Sequence, residues 1–239
     1  MLLRIFPLLL FMSSCSTTKR PQADGSPTLE EDTVVLLHGM GRSRLSMAVL
    51  SHRFRQSGYR TFNFPYSQMR ASLDDLSEKL VFFIKDKVDT PRYHLVAHSL
   101  GNVIIRNAFR KELPPGLGRI VMLAPPNQPA ELAKRLRKNL IYRLFTGDSG
   151  QKLSEEAFYA ELPVPAVDFG VIAGDKGQKI SFSEPNDGLV AVEETKLEGM
   201  KDFLLLHHAH TFIMNSRETF EQSKRFLETG SFDHPEGNP

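Results

Sequence analysis

From residue 33 to residue 227, short apolar runs alternate with longer stretches of helical spacing. No other feature of the chain constrains its fold as strongly. Residues 33–37 (TVVLL) are β-branched and apolar, as a strand buried on both faces requires. Residues 44–57 place Met47, Leu50 and Phe54 on one helical face and meet a stop at Gly58. Residues 59–64 read as a strand. Leu73, Leu76, Leu80, Ile84 and Val88 then follow helical spacing behind Ser72, a residue type that caps helices well. Pro91 opens a strand over 93–97, and residues 102–111 are expected to be helical, closed by the breakers in 114-PPGLG-118. Further strands are expected at 119–124, 167–172 and 202–206, and a last long helix at 212–227. Strands separated by helices imply βαβ units, hence a mostly parallel sheet with helices on both faces. In such sheets functional groups gather just beyond the carboxyl ends of the strands.

The two ends of the chain lie outside this pattern. Residues 1–14 carry one charge, Arg4, and an apolar run over 5–12. That run is far short of the ~20 residues that span a bilayer as a helix, and it reads as the core of a secretory signal. The lone cysteine, Cys15, follows Ser13 and Ser14 and cannot form an internal disulfide. Its setting resembles a bacterial lipobox, in which the cysteine is lipidated and begins the mature chain; Met12 stands where leucine is usual. Ser16 after the cysteine, rather than Asp, implies by the same resemblance the outer membrane, facing the periplasm. Residues 15–32 therefore read as anchor and tether, 33–229 as one domain, and 230–239 as a frayed tail. The 239 residues, 41% hydrophobic, suffice for one full-sized core. Net charge is +2 with Lys and Arg scattered, which argues against a nucleic-acid partner.

The residues just beyond each strand locate the chemistry. After the first strand comes 38-HGMG-41, whose glycines let the backbone turn tightly and approach a ligand; alone it is equally an ordinary turn. After the strand at 93–97 comes Ser99, within 97-AHSLG-101. This is a variant of G-x-S-x-G with Ala97 in the first place. The serine of such a motif sits on a strained strand-to-helix turn, so its neighbours two before and two after must be small. The helix N-terminus behind it favours developing negative charge.

A serine hydroxyl is a weak nucleophile and needs a base, itself oriented by a third group. Beyond the last strand, 203-FLLLHHAHTFIMNS-216 offers His207, His208 and His210. His210, in the loop before the last helix, is preferred, with His208 second. His98 reads as a packing neighbour of the serine, His38 as a brace for its loop, and His52 and His94 as surface or strand residues. For the acid there are two candidates, Asp175 in 173-AGDKG-177 and Asp187 in 185-PNDGLVAVEE-194. Asp in a glycine-flanked turn is common for turn reasons alone, so Asp187 is preferred. Glu193 and Glu194 beside it match no calcium-loop spacing.

With HGMG, AHSLG, NDGLV and HTFIM in this order, the chain resembles α/β-hydrolases, and among them small bacterial lipases and esterases with an A-x-S-x-G elbow. The resemblance covers residues 33–228. It implies a Ser99, Asp187, His210 triad in the Ser, acid, His order of that fold. It also implies an oxyanion hole from the backbone N–H groups of Met40 and Leu100, each worth on the order of 3 kcal/mol. The short lead before the first strand leaves no room for two extra N-terminal strands, so a minimal sheet of about six mostly parallel strands is expected. Residues 130–144 carry a leucine stripe that suits a partial lid or a buried helix face equally. The loop 123–132 is expected to line an acyl pocket. The reading is an ester hydrolase working through an acyl-enzyme, with a lipid or small-ester substrate, no cofactor, no metal, membrane contact through Cys15, and a monomeric state. An acyltransferase with the same triad, or a non-catalytic envelope lipoprotein keeping the fold, are the alternatives.

Overall fold

A computed structural model describes residues 32–68, 71–128, 156–177 and 184–234. In chain order the elements are β1 (Asp32–Leu37), a 3-10 turn (Arg44–Met47) running into α1 (Ala48–Gln56), β2 (Arg60–Asn63), α2 (Leu73–Lys87), β3 (Arg92–His98) and α3 (Leu100–Ala108). They continue with β4 (Leu117–Leu123), α4 (Glu156–Glu161), β5 (Phe169–Gly174), α5 (Val192–Thr195), β6 (Asp202–Leu206), a 3-10 turn (Ile213–Asn215) and α6 (Arg217–Thr229). The six strands form one sheet in the order β2-β1-β3-β4-β5-β6, and every neighbouring pair is parallel. This is the minimal six-stranded architecture that the alternating pattern predicts.

The period-2 alternation of strand side chains divides the core into two layers. On one face Val35, Leu37, Leu95 and Ala97 pack with Leu76, Leu80 and Ile84 of α2 and Val103 and Ile104 of α3. On the other, Val34, Leu36 and Val96 pack with Leu50 and Phe54 of α1 and Phe226 and Leu227 of α6. Because β1, β3 and β5 are covered on both sides, their centres (Val34–Leu37, Leu95–Ala97 and Phe169–Gly174) are unbroken runs without a charged residue. The start of α2 is set by a reciprocal box: Ser72 Oγ accepts from Asp75 N at 3.1 Å, and Asp75 Oδ2 accepts from Ser72 N at 3.0 Å.

Several boundaries differ from the sequence pattern. Helix α3 begins at Leu100, two residues early, with Ser99 at the N-cap position and its side chain making no cap hydrogen bond. It relaxes after Ala108 into i→i−3 bonds that carry the turn to Lys111. The last helix is broken: its first turn is 3-10, and α6 starts only after Ser216, whose Oγ accepts from Thr219 N at 2.9 Å. The tail is corrected for residues 230–234. Phe232 is buried against Phe226, its N–H donates to Asp202 Oδ2 at 2.6 Å, and His234 Nε2 lies 2.9 Å from Asp202 Oδ1. One aromatic side chain with a hole to fill outweighs the breaker-rich composition around it. Residues 1–31, 235–239 and the leucine stripe at 130–144 lie outside the described residues.

Candidate active site

Ser99 stands between β3 and α3 with φ 52° and ψ −121°. A positive φ in a residue with a Cβ costs of order 1–3 kcal/mol and persists only where its surroundings over-determine it. Here they do. Ser99 N donates to Leu123 O at 3.0 Å, tying the turn to β4. Ser99 O accepts from Asn102 N at 3.0 Å and from Asn102 Nδ2 at 3.2 Å. The small neighbours have physical causes. A Cβ on Gly101 would lie 2.9 Å from both His38 O and Leu37 Cβ, so α3 can approach β1 only without a side chain there. A Cβ on Gly39 would lie 3.0 Å from Ser99 Cβ and 2.7 Å from His98 Nδ1. The HGMG turn and the serine are therefore packed face to face, which joins two motifs that are 60 residues apart in the chain.

The N–H of Leu100 is the first of α3, and Met40 lies in the turn after β1; neither donates to an acceptor among the described residues. The turn that carries Met40 is braced from behind. The His38 ring stacks on Tyr66 at 3.9 Å, its ring nitrogens face Gly39 O at 2.8 Å and Tyr66 O at 3.3 Å, and Tyr66 donates its hydroxyl proton to His38 O. Burial pushes the His38 pKa down, favouring the neutral ring.

The histidines and acids sort into separate pairs. His210 Nδ1 lies 2.7 Å from Asp187 Oδ2, both side chains nearly buried. The other oxygen, Asp187 Oδ1, accepts from Leu189 N at 3.0 Å and Val190 N at 2.8 Å. The pair is also tied through the backbone, with His210 N donating to Asp187 O at 2.9 Å. A carboxylate that accepts two N–H bonds on one oxygen has the other fixed in direction, so the histidine ring is held rather than merely paired. Asp175 stands elsewhere, against the exposed His207 at 2.8 Å, and His208 meets Glu218 on the surface at 3.2 Å. The structure thus brings His210 to Asp187 and brings neither Asp175 nor His208 to that pair. His98, next to Ser99 in the chain, lies ring to ring with His210 at 4.7 Å, which places the Asp187–His210 pair beside the elbow.

Three residues of the site's frame carried no signal in the sequence pattern. Ala124, just after β4, also has positive φ (43°), and its N–H donates to Ile172 O at 2.8 Å. Asn127, buried just beyond it, donates Nδ2 to Thr195 O at 2.8 Å and its N–H to Glu194 O at 3.0 Å, gripping α5 beside the Asp187 loop. Arg106, on the buried side of α3, donates to Asn127 O at 3.1 Å, Leu162 O at 3.0 Å and Pro163 O at 3.1 Å. Those bonds are to neutral carbonyls, and burial pushes the Arg106 pKa down to about 10, which still leaves it charged at neutral pH. Nothing in the helical pattern of residues 102–111 marks this arginine as buried. Glu193 pairs with Lys196 and Glu194 accepts from Ala191 N, and among the described residues no group of three or more His, Cys, Asp and Glu could hold a metal.

The fold defined by this sheet and elbow is the α/β-hydrolase fold, and solved structures share it. The mature form of Bacillus licheniformis lipase BlEst2 superposes with a TM-score of 0.60 at 16% identity, covering 87% of this chain and 96% of that one. A metagenomic carboxyl esterase gives 0.69 at 16% identity, over 90% and 82% of the two chains. Phospholipase PlaB from Legionella pneumophila gives 0.64 at 17% identity, over 84% of this chain and 59% of that one. No family model matches the chain, and neither does any curated protein sequence.

Proposed function

We propose that this protein is a serine hydrolase of carboxylic esters, lipid or small, working through an acyl-enzyme. The observation that carries the reading is the Asp187–His210 hydrogen bond, 2.7 Å long and nearly buried, beside a serine held at positive φ. His210 Nδ1 donates to Asp187, which leaves Nε2 as the basic nitrogen. In this reading Ser99 Oγ attacks the ester carbonyl as Nε2 takes its proton. The oxyanion is met by the N–H groups of Leu100 and Met40, which have no acceptor among the described residues. The imidazolium returns the proton to the leaving alcohol, and water then repeats the sequence on the acyl-serine. Structures of the same fold described as a lipase, an esterase and a phospholipase support the substrate class. The signal-like N-terminus supports a chain exported and anchored through lipid on Cys15 in a bacterial envelope, at the outer membrane facing the periplasm.

The test is labelling by a fluorophosphonate together with hydrolysis of p-nitrophenyl esters from acetate to palmitate. Wild type is expected to label and turn over, and Ser99→Ala to do neither while unfolding at the same temperature. Equal labelling of the two proteins removes Ser99 from the role.

A further inference from the structure

From Thr33 to Leu73 the chain has no Asp or Glu, yet it carries six arginines. Along the sequence these are spread out; the fold places two of them, Arg44 and Arg55, on one exposed face. The 3-10 turn and α1 bury Met47, Leu50 and Phe54, and the opposite face is turned to solvent. That face presents Arg44, Leu45, Val49, His52 and Arg55, at helical spacing and all exposed. Leu45 is 75% exposed and Val49 44%. Among the described residues neither Arg44 nor Arg55 has an ion-pair partner, whereas Arg53, on the same helix, is turned inward to Asn215 O and Ser216 O. The 3-10 turn packs against the Ile213–Asn215 turn, and Phe212, at the entry to that second turn, is 64% exposed. Leu45 and Phe212 thus stand on loops that leave β1 and β6 at the end of the sheet where Ser99 and His210 lie.

We infer that this face docks the protein on an anionic phospholipid surface. Unpaired arginines in a stretch free of carboxylates suit anionic headgroups, and none of the five residues on the face is acidic. The aliphatic and aromatic side chains between and beside them enter the headgroup–acyl boundary, as on helices that lie in a membrane plane. They also set the face apart from a nucleic-acid surface, which has no apolar layer to receive them. The contact is separate from Cys15. It orients the domain so that the mouth of the site faces the lipid, which deepens the ester-hydrolase reading and in that respect rests on it. Binding itself is read without turnover, so the two can fail independently.

The experiment is co-sedimentation of the full-length chain with phosphatidylcholine vesicles, with and without added phosphatidylglycerol. Every variant keeps the same N-terminus. Wild type is expected to prefer the anionic vesicles, and to lose that preference as salt rises from about 0.1 M to about 1 M and the screening length falls from ~10 to ~3 Å. Each arginine near such a surface is worth roughly fivefold in partitioning, so Arg44→Gln with Arg55→Gln should lose about 30-fold on anionic vesicles. Leu45→Ser should weaken binding at both salt concentrations. Hydrolysis of a water-soluble ester should be unchanged in these variants, and Ser99→Ala should bind as wild type does. Equal binding of wild type to both vesicle types, or of the arginine variant and wild type to anionic ones, overturns the inference. So does a DNA oligonucleotide that binds equally to wild type and Leu45→Ser and displaces the vesicles.

Discussion

His98 donates its Nε2 proton to the main-chain oxygen of His210 at 2.9 Å, with the two rings 4.7 Å apart. The residue beside the candidate nucleophile therefore holds the candidate base by its backbone, while Asp187 holds the same residue by its ring. A carbonyl can only accept, so His98 must carry its proton on Nε2. Its Nδ1, packed against Gly39, has no partner among the described residues.

That arrangement makes stability depend on pH. Burial, then the neighbouring His210, hold the His98 pKa well below 6.5, and burial also lowers those of His38 and His94. A histidine with a depressed folded pKa binds more protons unfolded than folded below pH 6.5. Its contribution is thus fully present above 6.5 and is lost as pH falls towards the folded pKa. Each such histidine removes about 1.4 kcal/mol per pH unit in that window. Urea unfolding between pH 7.5 and pH 5 should show falling stability, and His98→Gln should flatten the slope. A slope identical in wild type and variant would remove His98 from this account.

Asp187→Asn should leave the fold near normal while holding His210 in the wrong tautomer. A loss of roughly 10⁴ in kcat is expected, with little change in KM. Asp175→Asn and His208→Ala break only surface pairs, with His207 and Glu218, and should stay close to wild type. Steady-state kinetics on a soluble ester measures all three, and an Asp175→Asn loss as large as that of Asp187→Asn would reverse the assignment.

Arg106→Met should be strongly destabilising although it removes no ion pair. It leaves the carbonyls of Asn127 and Leu162, buried, and of Pro163, part-buried, with one donor fewer each. At ~1–3 kcal/mol for each unsatisfied group, a loss of roughly 3 kcal/mol or more is expected. Arg106→Lys should recover only part of it, because an ammonium lacks the planar fork that reaches several carbonyls at once. Chemical denaturation gives both numbers; a Met variant within about 1 kcal/mol of wild type would show that these bonds contribute little net stability.

Cys15→Ser should abolish incorporation of labelled palmitate in a bacterial host and release the protein from a detergent-requiring to a soluble periplasmic fraction. Identical fractionation of the two proteins as soluble would dismiss the lipid anchor.

What the chain determined by itself is the part that local rules decide. β-branched runs separated by helical periods mark a parallel sheet, and a pentapeptide with small residues around a serine at a strand-to-helix junction marks where a strained serine stands, because both signals are written in residues adjacent in the chain; the contacts that require the small residues come from β1 and β4. The pairing of acids with histidines is of another kind. Two Asp residues and three His residues sit in loops after the last two strands, and local sequence supplies only a preference among them. Tertiary structure joins His210 to Asp187, 23 residues apart, and His207 to Asp175, 32 residues apart, since β5 and β6 lie side by side in register. The burial of Arg106, the bond from His98 to His210 and the seating of Phe232 arise in the same way. Each is a contact across the sheet or between loops, and its energy comes from desolvation and packing that exist only once the chain has closed on itself.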